Sequence, residues 1–493
     1  MGIIEKQATK NAIYSYIGAG LGFLTVIILG NLLSTAENGA RGLLISYASL
    51  FAQFANLGFT SVTNRFFPYF KNKDKGHHGF LFYAIVISAI GFLLCYIVFI
   101  FLQPHLIENN QLKSPLFNTV LFYLMPLTFF TVFFNIFDSY LRAGYSSVVG
   151  SFAKEFLQRV FILLAIGLFY LKLVDFKIFI LLYIVITCLP TLILLFYIIQ
   201  QKEWHVKPIR GFMSKELRTE MIKLGTYSIL AGGAGAIVLN IDAIMVNDKL
   251  GESATGIYGI AIQMGAIMLI PARSLYRIMT SVVAEAFKKD DIVEVASLYK
   301  KSCNSQLTIG ILLFIGIYAN IDNIMHLIPP AYASGKNVIL ILCVGYLVEM
   351  ATGINQVIIA NSKHYRYDTF FVFFMVALII VTNLIFIPIY GIIGSAVATA
   401  ATSVSGNSLR MLLLYVKYKM QPYDINTAKL FFISAIAFIP GYFIPYLNNL
   451  YLDVIVRSGI VGGIFILLIL KTGASPEING KIRKNLKRFS INL

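Results

Sequence analysis

The sequence predicts an all-α integral membrane protein with about fourteen transmembrane helices, arranged as two pseudo-symmetric six-helix lobes followed by two C-terminal helices. Three observations predict it. Of 493 residues, 58% are hydrophobic and 13% charged, and the mean hydropathy of +0.77 lies outside the range of soluble domains. Apolar runs near the ~20 residues needed to cross a bilayer core recur along the whole chain. One hairpin is written twice. Its later copy, within Lys223 to Arg277, holds Tyr227-Ser228, Gly232, Gly233, Gly235, a polar turn at Asn247 to Ser253, and Gly256-x-x-Gly259. The earlier copy holds Tyr14-Ser15, Gly18, Gly20, Gly22, an acidic turn with Glu37, and Gly39-x-x-Gly42. Two copies of one membrane hairpin are the signature of an internally repeated carrier, in which a central site alternates between two sides.

Taken in order, the first span, 11–33, is apolar and lacks a small-residue cleavage pattern, so it is a span and not a signal peptide. Spans at 41–66, 80–103, 117–141, 148–171 and 177–199 complete a first lobe, 1–200. Residues 201–223 form a basic linker, expected on the cytoplasmic side. Within it Met213, Leu217, Met221 and Leu224 recur at helical spacing and predict an amphipathic helix along the membrane surface; residues 284 to 301 read the same way. The second lobe, 224–416, contains spans at 224–246, 254–283, 303–328, 336–360, 369–388 and 391–416. Spans at 428–447 and 453–471 lie in an appendix, 417–471, expected to face lipid or a partner. A basic tail, 472–493, follows.

A net charge of +17 would point to nucleic acid in a soluble chain. Here the cations sit in short loops, so no nucleic-acid partner is expected. Counted in loops and at span ends, twenty-eight basic residues fall on the side of the N-terminus and six on the other. That asymmetry places both termini in the cytoplasm, as an even span number requires. Cys95, Cys188, Cys303 and Cys343 are scattered singly, which fits buried thiols and neither a disulfide nor a metal site. No Walker A or H-E-x-x-H pattern occurs, and no cofactor is expected.

Charges within spans cost about 2.5–3.5 kcal/mol each at the bilayer centre, so each needs a reason. Asp138 with Arg142 and Glu155 with Arg159 are acid-then-base pairs at i, i+4. They either neutralise themselves or line a polar cavity. Arg41 and Arg65, at opposite ends of one span, either snorkel or face the same cavity. Arg273 and Arg277 share one helix face after Pro271 and have no acid three or four positions away. Two such guanidiniums suit a bidentate anion such as phosphate. Asp242, an isolated intramembrane carboxylate, is a candidate proton or cation site, with Asn383 and Thr399 as candidate oxygen ligands. Glu349 is a second isolated acid, open to pairing with an arginine. The glycine run at 232–235 lacks dinucleotide-binding spacing and predicts close helix packing.

The segments Asn240-Ile-Asp242-Ala-Ile-Met245, Gly256-Ile-Tyr258-Gly259-Ile-Ala261 and Ser139-Tyr-Leu-Arg142-Ala-Gly144 carry a family resemblance. The chain resembles the O-antigen-type polysaccharide flippases of the MOP superfamily, relatives of MATE exporters and lipid II flippases. The resemblance implies a transporter, not an enzyme, in a bacterial inner membrane. Its substrate would be an undecaprenyl-pyrophosphate-linked oligosaccharide, flipped from the inner to the outer leaflet by alternating access. It further implies Na+ or H+ coupling at Asp242, an anion cavity lined by Arg273, Arg277, Arg65, Arg142 and Arg41, and other polysaccharide-assembly membrane proteins as partners. Three other readings stay open: a MATE-like cation or drug antiporter, which should have acidic cavity charges; a membrane glycosyltransferase or polymerase, which should have a sizeable outer loop or acidic surface motif; and a scaffold or scramblase without coupling.

Overall fold

A computed structural model describes residues 2–144, 146, 148–208, 212–480 and 482, without the side chains of 2–12. Arg210, Lys481 and the basic tail from 483 onward lie outside the described residues, as do the side chains of Lys6 and Lys10. Among the described residues the regular structure is helical throughout.

The helices are α1 (Gly2–Leu32), α2 (Thr35–Ala55), α3 (Phe59–Phe70), α4 (Phe80–Asn110), α5 (Pro115–Val120), α6 (Leu124–Ala143), α7 (Val148–Ser151), α8 (Gln158–Tyr170) and α9 (Phe176–Gln200). They continue with α10 (Lys215–Leu250), α11 (Glu252–Gly265), α12 (Ile270–Lys288), α13 (Ile292–Ala319), α14 (Ile321–His326) and α15 (Gly335–Ala351). The last are α16 (Asn355–Asn361), α17 (Tyr365–Tyr390), α18 (Ile392–Tyr418), α19 (Ile425–Phe443) and α20 (Leu450–Thr472).

Ten of these helices or helix runs are long and apolar enough to cross a membrane, and up to twelve if α2 with α3 and α15 with α16 each count as one bent span. The two remaining predicted spans correspond to α7 through α8 and to α18. The first carries Lys154, Glu155 and Arg159 and is interrupted by a π-helical turn, Phe152–Leu157; the second is polar from Thr399 to Arg410. Both features lower mean hydropathy where a helix faces protein or water instead of lipid.

The α2–α3 bend of 45° has a local cause. Leu57 and Gly58 both take positive φ, 48° and 71°, which ends α2 and restarts the chain in a new direction. A Cβ on Gly58 would also lie 2.3 Å from the Gly225 carbonyl oxygen, so α10 passes hard against the bend.

The chain forms two compact units, Met1–Ile260 and Ala261–Leu493. In the first, α10 packs along α2 and α3, with Gly232 against Gln53 and Gly233 against the Phe54 ring. The surface helix expected at 213–224 is instead the first turns of α10, which begins at an N-cap from Ser214. Its apolar stripe is satisfied by protein: Met221 is buried in an aromatic cluster with Phe66, Phe67, Phe70 and Phe80, and Met213, Leu217 and Leu224 pack against it. The same correction applies at Ile292–Tyr299. That stretch opens α13, and Val295 and Tyr299 are buried in the core of the second unit. In both places amphipathic periodicity was real, but the apolar face meets side chains and not lipid.

Candidate functional site: charged clusters inside the membrane helices

In the first unit the charges predicted on α6 and α8 gather around the π-helical turn, Phe152–Leu157. Arg142 Nε lies 3.2 Å from Asp138 Oδ2, and Arg159 Nη2 lies 3.1 Å from Glu155 Oε2. Three glycines make room for them. A Cβ on Gly150 would lie 1.9 Å from Asp138 Oδ1, one on Gly18 would lie 2.6 Å from the Glu155 carbonyl oxygen, and one on Gly22 would lie 1.7 Å from Arg159 Nη1. The glycine run of α1 is therefore a cradle for one ion pair.

Lys154, on the same π-helical turn, makes no ion pair within 4 Å among the described residues. Its Nζ sits 4.6 Å from the centre of the Phe134 ring, and Asp138, Glu155, Arg142 and Arg159 are the charges that act on it. Three cations against two carboxylates leave this cluster with a net positive charge. An uncompensated cation at membrane depth calls for water or an anion. The sequence offers Arg142 and Arg159 as possible cavity charges through their i, i+4 pairs, whereas Lys154 has no such pair to draw attention to it. The signal was present: a lysine deep in a span whose only acidic neighbours are already paired.

Arg41 is buried at 6% exposure. Its Nη1 donates to Tyr183 Oη at 3.1 Å, its Nη2 donates to Asn38 Oδ1 at 3.4 Å, and the guanidinium lies over the Tyr183 ring. It ties α2 to α9. Arg65 is exposed on α3, with its guanidinium 5.7 Å from the Phe66 ring centre.

Asp242 is buried on α10 and accepts a hydrogen bond from Tyr258 Oη at 3.1 Å. Beyond it, the loop ends meet in a polar latch that no short motif announces. Glu252 accepts from the N–H groups of Leu116 and Phe117, at 3.4 and 3.0 Å, and so caps the start of α5. Ser114 Oγ donates to Asn247 Oδ1, Asn247 Nδ2 donates to Asn110 Oδ1, and Lys113 Nζ donates to the Asp248 carbonyl. Beside the latch the two repeated glycine motifs touch each other. A Cβ on Gly39 would lie 1.7 Å from the Glu252 carbonyl oxygen, and one on Gly256 would lie 1.9 Å from that of Thr35. The starts of α2 and α11, which are the same element in the two repeats, thus cross backbone to backbone.

In the second unit Arg273 and Arg277 are exposed on one face of α12. Glu349 has Arg410 and Arg273 as the cations that act on it, so this acid stands among arginines. Arg410 Nε in turn donates to Asp368 Oδ1 at 2.8 Å, a pairing 42 positions apart that periodicity could not reveal. Asn383 is fully buried on α17, and Thr399 Oγ1 donates to the Ser395 carbonyl at 3.1 Å on α18. Both belong to the second unit, whereas Asp242 belongs to the first. No group of three His, Cys, Asp or Glu side chains suited to a metal occurs among the described residues.

Several solved structures share this fold. A structure titled "Lipid II flippase MurJ, inward closed conformation" aligns with 94% of this chain and 98% of its own at 15% identity and a TM-score of 0.73. An inward-facing multidrug resistance MATE family transporter of the MOP superfamily aligns with 83% of this chain and 98% of its own, at 14% identity and a TM-score of 0.67. A MOP superfamily transporter from Pyrococcus furiosus aligns with 84% and 96%, at 14% identity and a TM-score of 0.58. At these identities the likeness is one of fold. No curated protein matches the sequence. A family model described as "Polysaccharide biosynthesis protein" matches residues 6–284, more than half of the chain and all of the elements that carry the first charged cluster, the latch and the glycine crossing. The chain is a multi-pass membrane protein with the fold of MOP-superfamily transporters, and it belongs to the polysaccharide biosynthesis protein family.

Proposed function

We propose that this protein flips an undecaprenyl-pyrophosphate-linked oligosaccharide from the inner to the outer leaflet of a bacterial inner membrane by alternating access. Both termini lie in the cytoplasm, and two lobes rock about a central site. The observation that carries this reading is the excess of cations on membrane-embedded helices, around Lys154 in the first unit and at Arg273 and Arg277 in the second. Guanidinium and ammonium groups there match a pyrophosphate, while the prenyl chain stays in the bilayer. Arg142, Arg159 and Arg65 are further cations of the first unit. Arg41, committed to Tyr183 and Asn38, holds α2 in place.

The Gly39–Gly256 crossing and the Glu252 latch form the closed end of the pathway, on the side of the bilayer assigned to the outer face. Opening that end requires α2 and α11 to part. An ion gradient supplies the drive, with Asp242 as the coupling carboxylate, carrying Na+ or H+. No chemical step is assigned to the protein. Other polysaccharide-assembly membrane proteins would supply and consume its cargo.

The test compares cells depleted of the protein with cells expressing Arg273→Ala plus Arg277→Ala at wild-type level. The expected result is accumulation of undecaprenyl-linked glycan on the inner leaflet in both. Normal glycan export on depletion, with reduced efflux of cationic drugs, would replace this reading with cation antiport.

A further inference from the structure

A second site lies away from the charged clusters, in the angle where α10 passes the α2–α3 bend. A cavity of about 680 Å³ opens there, within the few-hundred to about 1,000 Å³ range of small-ligand sites. Its floor is Phe59 and Val62, both nearly fully buried, with Leu57 at the bend itself. Tyr83 and Ile87, one turn apart on α4, form one wall. The other wall is a single stripe of α10: Arg218, Ile222, Gly225, Thr226 and Ile229, spaced so that they share one helix face. Ile222 and Thr226 are exposed at the rim, so the cavity is a groove with a closed floor and an open side.

We propose that this groove binds one anionic phospholipid of the leaflet adjoining the start of α10. Position argues for a lipid. The stripe runs about 16 Å at 1.5 Å per residue, from Arg218, outside the span expected at 224–246, to Ile229 inside it. The groove thus crosses the membrane interface, with a cation at the end where a headgroup would lie and Leu57, Phe59 and Ile229 toward the acyl chains. Charge argues for an anionic lipid. Arg218 makes no ion pair among the described residues: Glu216 and Glu220 are each two positions away and so point away from it on the helix, and Glu220 pairs with Lys223 at 3.4 Å. Lys215, one turn earlier, adds a second cation on the same helix. A guanidinium at that place offers several donors to a phosphate. The acyl chain would lie against Leu57 and Phe59, so an occupant braces the bend of α2 from the lipid side.

The test is native mass spectrometry of the full chain purified in detergent and exposed to phosphatidylglycerol and phosphatidylcholine of matched acyl chains. Wild type is expected to retain one phosphatidylglycerol in preference, by about fivefold for a single juxtamembrane cation. Arg218→Gln, an exposed change, should lower that preference several-fold and leave phosphatidylcholine binding unchanged. Lys288→Gln, at an exposed lysine outside the lining of this groove, should leave both unchanged. Ile87→Trp, which fills the groove, should lower retention of both lipids. Equal retention of the two lipids by wild type, or an undiminished preference in Arg218→Gln, overturns the proposal. So does retention of an isoprenoid phosphate in place of phospholipid, since the groove would then belong to a prenyl chain.

Discussion

Alanine in place of Gly39 puts the α2–α11 crossing under direct test. Helix propensity alone predicts that this change stabilises, by about 1 kcal/mol, because alanine is the better helix former. Contact geometry predicts the opposite. The new Cβ would lie 1.7 Å from the Glu252 carbonyl oxygen and 3.0 Å from the Gly256 nitrogen, and both are backbone atoms that cannot swing aside. Reaching an ordinary separation of 3.4 Å from the oxygen requires about 1.7 Å of helix displacement. A shift of that size also stretches the Glu252 bond to the Phe117 N–H, now 3.0 Å, beyond hydrogen-bonding range. Overpacking of this kind costs about 1–3 kcal/mol, and because Gly39 stays within α2 whether the crossing is closed or open, the propensity gain does not offset that bias toward opening. At about 1.4 kcal/mol per tenfold, the crossing should open roughly 5 to 140 times more often.

Thr255 reports it, since its side chain is buried at 2% exposure beside Gly256. With the four native cysteines replaced by alanine, Thr255→Cys should react with a membrane-impermeant maleimide about that much faster when Gly39→Ala is added. An unchanged or slower rate, with the chain still folded, refutes the claim that these glycines hold the proposed outer end shut.

Three further predictions follow from single contacts. Tyr183→Phe removes the hydroxyl that Arg41 donates to and should lower stability by about 1.5–3 kcal/mol, the range for a bond to a charged group; thermal unfolding in detergent should fall while transport per folded molecule persists. Gly18→Ala meets the Glu155 backbone and should destabilise by about 1–3 kcal/mol, whereas Gly22→Ala meets only the movable end of Arg159 and should spare stability but slow transport. Asp424 caps α19 at its own side-chain oxygens, and its hydrogen bond to Lys300, with the N–H groups of Asn426 and Thr427, holds its carboxyl below the ordinary aspartate value. A depressed folded pKa contributes stability above about pH 3.9, lost as pH falls through the lower folded value. Asp424→Asn keeps a capping side chain and removes the charge that faces Lys300, so it should cost up to about 1 kcal/mol at pH 7, and the gap to wild type should close in acid.

The helices were legible because lipid imposes a simple rule: apolar runs of sufficient length must be helical and must cross. The hairpin repeat was legible for a related reason, since Gly39 and Gly256 recur where the two copies meet. What local pattern could not supply was the partner of each polar group. Arg410 finds Asp368 across 42 positions, and Glu252 caps a helix that starts 137 residues earlier in the chain, at Pro115. The amphipathic stripes at Met213–Leu224 and Ile292–Tyr299 were read for periodicity correctly, but periodicity does not distinguish a lipid neighbour from a buried aromatic one. The place of Lys154 is not legible either, because a π-helical turn has no sequence signature and here carries Lys154 to within 4.6 Å of the Phe134 ring centre.

The central claim is that these cations serve a pyrophosphate in transit across the bilayer. Its most direct test is a flipping assay in liposomes containing the purified protein and a fluorescent undecaprenyl-pyrophosphate-linked oligosaccharide, with an imposed H+ or Na+ gradient. The account predicts protein-dependent transfer that responds to the gradient and is lost in Lys154→Met and in Arg273→Ala plus Arg277→Ala, each folded as wild type. Transfer that persists in both variants, or transport of a cationic dye with none of the lipid-linked glycan, would contradict it.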